Sequence, residues 1–114
     1  MSRPRILIID DEIDQCIIIK SYFQNREYDV FMELSLKEGL NSLKKYHPDI
    51  LLLDNNLPDG KGWDMVDSIV EEFPDLKVHL ISAYHQKKDI IPPENVTVWE
   101  KPISLNVLDK AFRK

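Results

Sequence analysis

The sequence predicts an open α/β fold, a doubly wound parallel sheet of five strands, and three observations carry that prediction. Short apolar runs recur five times along the 114 residues, at Arg5 to Ile9, Tyr28 to Met32, Ile50 to Leu53, Lys77 to Ser82 and Val96 to Trp99. Between them the apolar spacing changes to the i, i+3, i+4 rhythm of amphipathic helices. The middle run is apolar at every position, which asks for cover on both faces of the strand and so for a parallel sheet.

Each element follows in turn. RILII, residues 5 to 9, stops abruptly at Asp10-Asp11-Glu12, as a buried strand does on leaving a sheet edge. From Ile13 the apolar residues take helical spacing, with Ile13, Cys16 and Ile17 on one face and Tyr22 and Phe23 further along. Tyr28 to Met32 is a short second strand. Ser35-Leu36-Lys37-Glu38 then has the Ser-x-x-Glu form of a capping box, and Leu36, Leu40 and Leu43 share a face before His47-Pro48 ends the helix. After the third strand come the loop DNNLPDGKG, residues 54 to 62, and a third helix on Met65, Val66, Ile69, Val70 and Phe73, ended by Pro74. KVHLIS and the run from Val96 supply the fourth and fifth strands, and Ser104 can cap a last helix whose Leu105, Leu108, Ala111 and Phe112 face the core. Right-handed crossovers leave few topologies for this alternation, and the flavodoxin-like strand order 2-1-3-4-5 is expected. A fourth helix should fall in AYHQKKDIIPPENV, residues 83 to 96, where Pro92 and Pro93 reduce it to an irregular turn or two.

The totals fit one domain, residues 1–114, with 43% apolar and 31% charged residues and no need of staples. The lone Cys16 cannot form an internal disulfide, which suits a reducing cytoplasm. Arg3 and Arg5 precede only four apolar residues, too few for a signal peptide or a membrane span. A net charge of -5 disfavours direct nucleic-acid binding and points to a protein or a small cation as partner.

In such a sheet, function gathers at the carboxyl ends of the strands. Asp10 and Asp11 stand at the end of the first, Asp54 at the end of the third and Ser82 at the end of the fourth, while Lys101-Pro102 follows the fifth. Three converging carboxylates repel unless a cation or protonation relieves them, and oxygen ligands without His or Cys suit Mg²⁺. Alternatively each acid merely solvates a loop. Asp54, Ser82 and Lys101 shift the balance. A carboxylate can attack a phosphoryl group, an ammonium can neutralise the developing charge, and a hydroxyl can hydrogen-bond a phosphoryl oxygen. The set describes a phosphoryl-transfer site.

Asp10-Asp11, Asp54 with Pro58 and Gly62, Ser82-Ala83 and Lys101-Pro102, in this order and on these strands, resemble the receiver domain of two-component response regulators. The resemblance covers Ile6 to Phe112. It implies that Asp54 accepts a phosphoryl group from a phosphohistidine of a sensor histidine kinase or histidine phosphotransfer protein. Asp10, Asp11, Asp54 and the backbone carbonyl of Asn56 would hold Mg²⁺. Ser82 and Lys101 would bind the phosphoryl group, and the Lys101-Pro102 bond matches one that is cis in the family and would aim the lysine. Asn56 and Tyr84 match two positions that tune dephosphorylation, and an aromatic Tyr84 predicts a long-lived phosphoryl state. On this reading the chain is a signalling phosphoacceptor, catalysing only its own phosphorylation and dephosphorylation, that acts on an unknown downstream protein.

The sequence also departs from the family. The position three residues before the lysine, usually Tyr or Phe, is Val98, and by alternation Trp99 points to the opposite face. The family's ring switch, with Ser82, Val98 and Trp99 at its positions, therefore needs another form, and a segment over residues 84–96 that orders on phosphorylation is one. The first helix carries extra apolar residues, Ile18 and Ile19, and these read either as a wide core stripe or as an exposed partner surface. Two other functions stay open: a pseudo-receiver that binds proteins without being phosphorylated, and a small hydrolase with an aspartyl nucleophile. The second lacks its usual acid two residues after the nucleophile, since that residue is Asn56.

Overall fold

The computed structural model describes residues 3–83, 94–101 and 103–112. Its elements are β1 (Arg5–Ile9), α1 (Ile13–Asn25), β2 (Asp29–Glu33), α2 (Leu36–Tyr46), β3 (Ile50–Asp54), β4 (Asn56–Leu57), β5 (Gly60–Lys61), a 3₁₀ turn (Gly62–Met65), α3 (Val66–Glu72), β6 (Lys77–Ser82), β7 (Val96–Glu100) and α4 (Leu105–Phe112). Five strands form one sheet in the order β2-β1-β3-β6-β7, and every pairing is parallel. Leaving aside the small β4-β5 hairpin, this is the 2-1-3-4-5 order expected from the sequence. The expected fourth helix falls within residues 84–93, which lie outside the described residues, as does Pro102.

The apolar runs are strands because both of their faces are covered. Ile6 to Ile9 and Leu51 to Leu53 are almost wholly buried, and alternate residues of each strand go to opposite sides. Leu7, Ile9, Leu51, Leu53, Val78 and Leu80 pack under Leu36 and Leu43 of α2 and Val66 and Ile69 of α3. Ile6, Ile8, Ile50, Leu52 and Ile81 pack on the other side, under Cys16, Ile19 and Phe23 of α1 and Leu108 of α4. Gly39 lets α2 lie close on β1, since an added Cβ would stand 2.3 Å from Ile9 Cδ1. Ser35 caps α2 as the Ser-x-x-Glu pattern predicts, its hydroxyl oxygen accepting from Glu38 N at 3.3 Å.

Two helix faces differ from the sequence-based expectation. In α1 the buried residues are Cys16, Ile19 and Phe23, whereas Ile13, Ile17 and Ile18 are 54%, 52% and 47% exposed. Phe23 is the reason. It sits among Tyr22, Tyr28 and Phe112, each with its ring centroid about 5 Å away, and this large side chain fixes the inward face along the i, i−4, i−7 row. Ile13 and Ile17 fall outside that row. In α4, Ser104 caps the helix through Val107 N and Leu108 is buried. Leu105 and Ala111, by contrast, face solvent. The helix turns a narrow Leu108-Phe112 edge to the sheet.

Candidate functional site

β1 and β3 lie side by side at the centre of the sheet, where the strand order reverses, and their carboxyl ends place Asp10 and Asp54 together. Both are nearly inaccessible, at 1% exposure each. Asp10 Oδ1 accepts from Glu12 N at 2.9 Å, which turns the chain after β1 and brings Glu12 back over the pocket. Carboxylate oxygens of Asp10, Glu12 and Asp54 lie within 4.8 Å of one another. Asp11, which the sequence suggested for the metal set, is exposed and is not among them. Spacing does not single out Glu12, because an Asp-Asp pair after a strand does not reveal which of three successive acids the turn folds inward.

Lys101 follows β7 and crosses the pocket. Its Nζ donates to Glu12 Oε1 at 2.8 Å and to Asp54 Oδ2 at 3.3 Å, and its backbone N donates to Ser82 O at 2.8 Å, so the lysine is fixed at both ends. Ser82 is buried at the end of β6, one residue past the Asp54-Ile81 pair. Burial works to lower the Lys101 ammonium, but the hydrogen bond to Glu12 and the charges of Asp54 and Asp10 outweigh it and hold the pKa above its ordinary value. For Asp10 burial dominates and lifts the carboxyl well above the usual carboxylate range. The bond from Glu12 N opposes that rise, and the Asp54 charge adds to it.

The loop after Asp54 is folded by its own polar groups. Asn56 N donates to Asp54 Oδ1 at 3.1 Å, Trp63 N donates to the Asn55 side-chain oxygen at 2.8 Å, and Gly62 N donates to Asn55 O at 2.9 Å. A side chain at Gly62 would put its Cβ 2.6 Å from the backbone oxygen of Asp54, so glycine is what allows the chain to pass this close. Asn56 is exposed at the start of β4. At the far end of the hairpin, Asp59 accepts from Leu36 N and Lys37 N at 2.8 and 2.9 Å, a cap on α2 supplied by a residue over twenty positions away. Sequence spacing gives no sign of such a cap.

Of the switch positions, Val98 pairs in register with Leu80, and Trp99 turns to the α1-α4 side. There the Trp99 indole N-H donates to His79 Nδ1 at 2.8 Å. Tyr84 lies outside the described residues.

The chain matches the response regulator receiver domain family over residues 6–113. It belongs to that family. Among curated relatives it is 30% identical to chemotaxis protein CheY of Listeria monocytogenes over 90 residues, 76% of this chain and 74% of that one. It is 34% identical to response regulator protein PilR of Pseudomonas aeruginosa over 84 residues, which are 74% of this chain but only 19% of that much longer protein. The solved signal receiver domain of a LuxO repressor protein from Vibrio parahaemolyticus superposes with a TM-score of 0.81 at 25% identity, covering 96% of this chain and 87% of that one. The acidic pocket of this receiver fits a phosphorylation site that works with a metal ion. No described helix is long and apolar enough to cross a membrane.

Proposed function

We propose that the chain works as one receiver domain in the cytoplasm, taking a phosphoryl group onto Asp54 from a phosphohistidine of a sensor histidine kinase or histidine phosphotransfer protein and so changing its binding to a downstream protein. The observation that carries this reading is the contact of Lys101 Nζ with Asp54 Oδ2 at the mouth of a buried acidic pocket. An Asp54 oxygen attacks phosphorus, the new P-O bond forms as the P-N bond breaks, and the imidazole nitrogen leaves and takes up a proton. Lys101 offers its charge to the phosphoryl oxygens, Ser82 supplies a hydroxyl to hydrogen-bond them, and Asn56 N-H holds one Asp54 oxygen so that the carboxylate presents a fixed edge. The chain's chemistry is confined to forming and losing its own acyl phosphate.

The donor set fits Mg²⁺. Among the described residues Asp10 Oδ2 is buried without a hydrogen-bond partner, an arrangement that costs free energy unless a cation completes it, and the clustered atoms of Asp10, Glu12 and Asp54 are hard oxygens. Asp10, Asp54 and the Asn56 carbonyl would hold the ion, with Asp11 or Glu12 as the further acid. Bound there, it supplies positive charge against the phosphoryl oxygens. The exposed Ile13, Ile17 and Ile18 beside this pocket support α1 as the surface that meets the phosphodonor protein.

The test is direct. Incubated with acetyl phosphate and Mg²⁺, the intact protein gains one phosphoryl mass increment, and Asp54→Asn or omission of Mg²⁺ removes it. No increment in the wild type would leave a protein-binding module. Steady consumption of the donor without accumulation on the protein would indicate a hydrolase.

A further inference from the structure

The cap on α2 has a geometry that bears on the acceptor. Helix α2 needs partners for the first N-H groups of its opening turn, and Ser35 supplies only the one for Glu38. Leu36 N and Lys37 N are taken by the two oxygens of Asp59. Those two N-H groups, Lys37 first, also hold the Asp59 carboxyl below its ordinary pKa. The side chains of Asp59 and Lys37 are open to solvent, so water can take over the bond to Lys37 N, while Leu36 is buried and its bond to Asp59 is less readily replaced. What the carboxylate fixes is the loop.

Asp59 sits with Pro58 in the two-residue turn between β4 and β5, where Leu57 pairs with Gly60 and Asn56 with Lys61. Pro58 locks its own φ and keeps Leu57 extended, so the path from Asp59 back to Asn56 is short and stiff. Gly60 at the same tip lies against the Leu36 side chain, with an added Cβ 2.9 Å from Leu36 Cδ1. Asn56 N in turn holds Asp54 Oδ1. The chain of contacts runs from the N-terminus of α2 through Asp59, Pro58 and Asn56 to the acceptor carboxylate.

We propose that Asp59 is a positioning residue for the reaction at Asp54: by clamping the hairpin tip to α2 with both carboxylate oxygens, it holds Asn56 in place against the acceptor. The role rests on Asp54 being the phosphoacceptor, and it makes the anchoring of the hairpin tip a determinant of how fast the acyl phosphate forms.

Four full-length proteins test it: wild type, Asp59→Ala, Asp59→Asn and Ser35→Ala, each assayed for phosphoryl mass gain from acetyl phosphate with Mg²⁺ and for amide exchange at Asn56. Asp59→Ala should slow phosphorylation about tenfold, less than the roughly 10²-fold that a full 1 Å misplacement can cost because the acceptor itself stays on its strand, and should speed Asn56 exchange. Asp59→Asn, which keeps one side-chain oxygen for the helix, should fall between. Ser35→Ala weakens the helix cap without touching the hairpin and should behave as wild type in both assays. Wild-type behaviour of Asp59→Ala overturns the proposal. So does equal slowing by Ser35→Ala, because the effect would then belong to helix stability. If the wild type gains no phosphoryl mass, the reading of Asp54 fails, and Asn56 exchange alone decides the clamp: unchanged protection in Asp59→Ala refutes it, and lost protection upholds it.

Discussion

The two sides of the sheet are built on different plans. On the α2-α3 side the buried core is aliphatic, and α2 turns its apolar residues inward, with its first turn capped by both Ser35 and Asp59. On the α1-α4 side the packing is aromatic. Phe23 meets Tyr22, Tyr28 and Phe112 edge-on, Trp99 stacks parallel to Phe112, and a histidine is enclosed among them. There α1 begins without a side-chain cap and leaves three isoleucines in solvent. The first side spends its apolar surface on the fold. The second leaves part of it exposed on α1 and includes a titratable group.

Substitutions on each side sharpen that contrast. The largest expected effect is on the aliphatic side: Leu43→Ala, at a fully buried site under α2, should cost about 3 kcal/mol in urea unfolding. On the aromatic side the main lever is pH. Burial, with a lesser contribution from the Lys77 charge, lowers the His79 pKa to about 4 from 6.5. Its Nδ1 is occupied as an acceptor from Trp99, so the neutral ring is the form that fits. The folded state thus binds fewer protons than the unfolded chain between these values. Stability from this group is complete above about pH 6.5 and is lost as pH falls towards 4, by about 3 kcal/mol. His79→Gln should flatten the difference in unfolding free energy over that window; an unchanged slope would show that the histidine is already charged in the fold. The smallest effect on stability belongs to Ile17→Ala, within about 0.5 kcal/mol because the side chain is largely exposed. That variant should take phosphate from acetyl phosphate at the wild-type rate yet accept it more slowly from its phosphohistidine protein. Equal slowing with both donors would show that α1 acts on the site and not on the partner.

What the sequence made legible follows from how local each signal is. Strands buried on both faces show as unbroken runs, RILII and ILLL, and their alternation with helical spacing leads to the observed strand order. Asp10, Asp54, Ser82 and Lys101 were visible because each stands where a run ends. The face of α1 was not, since Ile13, Cys16, Ile17, Ile18 and Ile19 give apolar residues in almost every direction, and Phe23 decides among them only through its neighbours on β2 and α4. Glu12 and Asp59 were hidden for a similar reason. One is brought over the pocket by a turn, the other caps a helix from a distant loop, and neither geometry leaves a trace in spacing.

The hydrogen bond between Trp99 and His79 gives the protein an optical signature. A neutral imidazole accepting from an indole is a mild neighbour, whereas an imidazolium withdraws electron density from the excited ring and quenches its emission. Trp63 packs against the opposite core beside the acceptor loop, where its backbone N donates to the Asn55 side chain. Acidification should therefore dim one of the two tryptophans before the chain unfolds, and ligand exchange at the acidic pocket should register on the other. With Trp63→Phe and Trp99→Phe as separate references, one cuvette would follow both sides of the sheet independently.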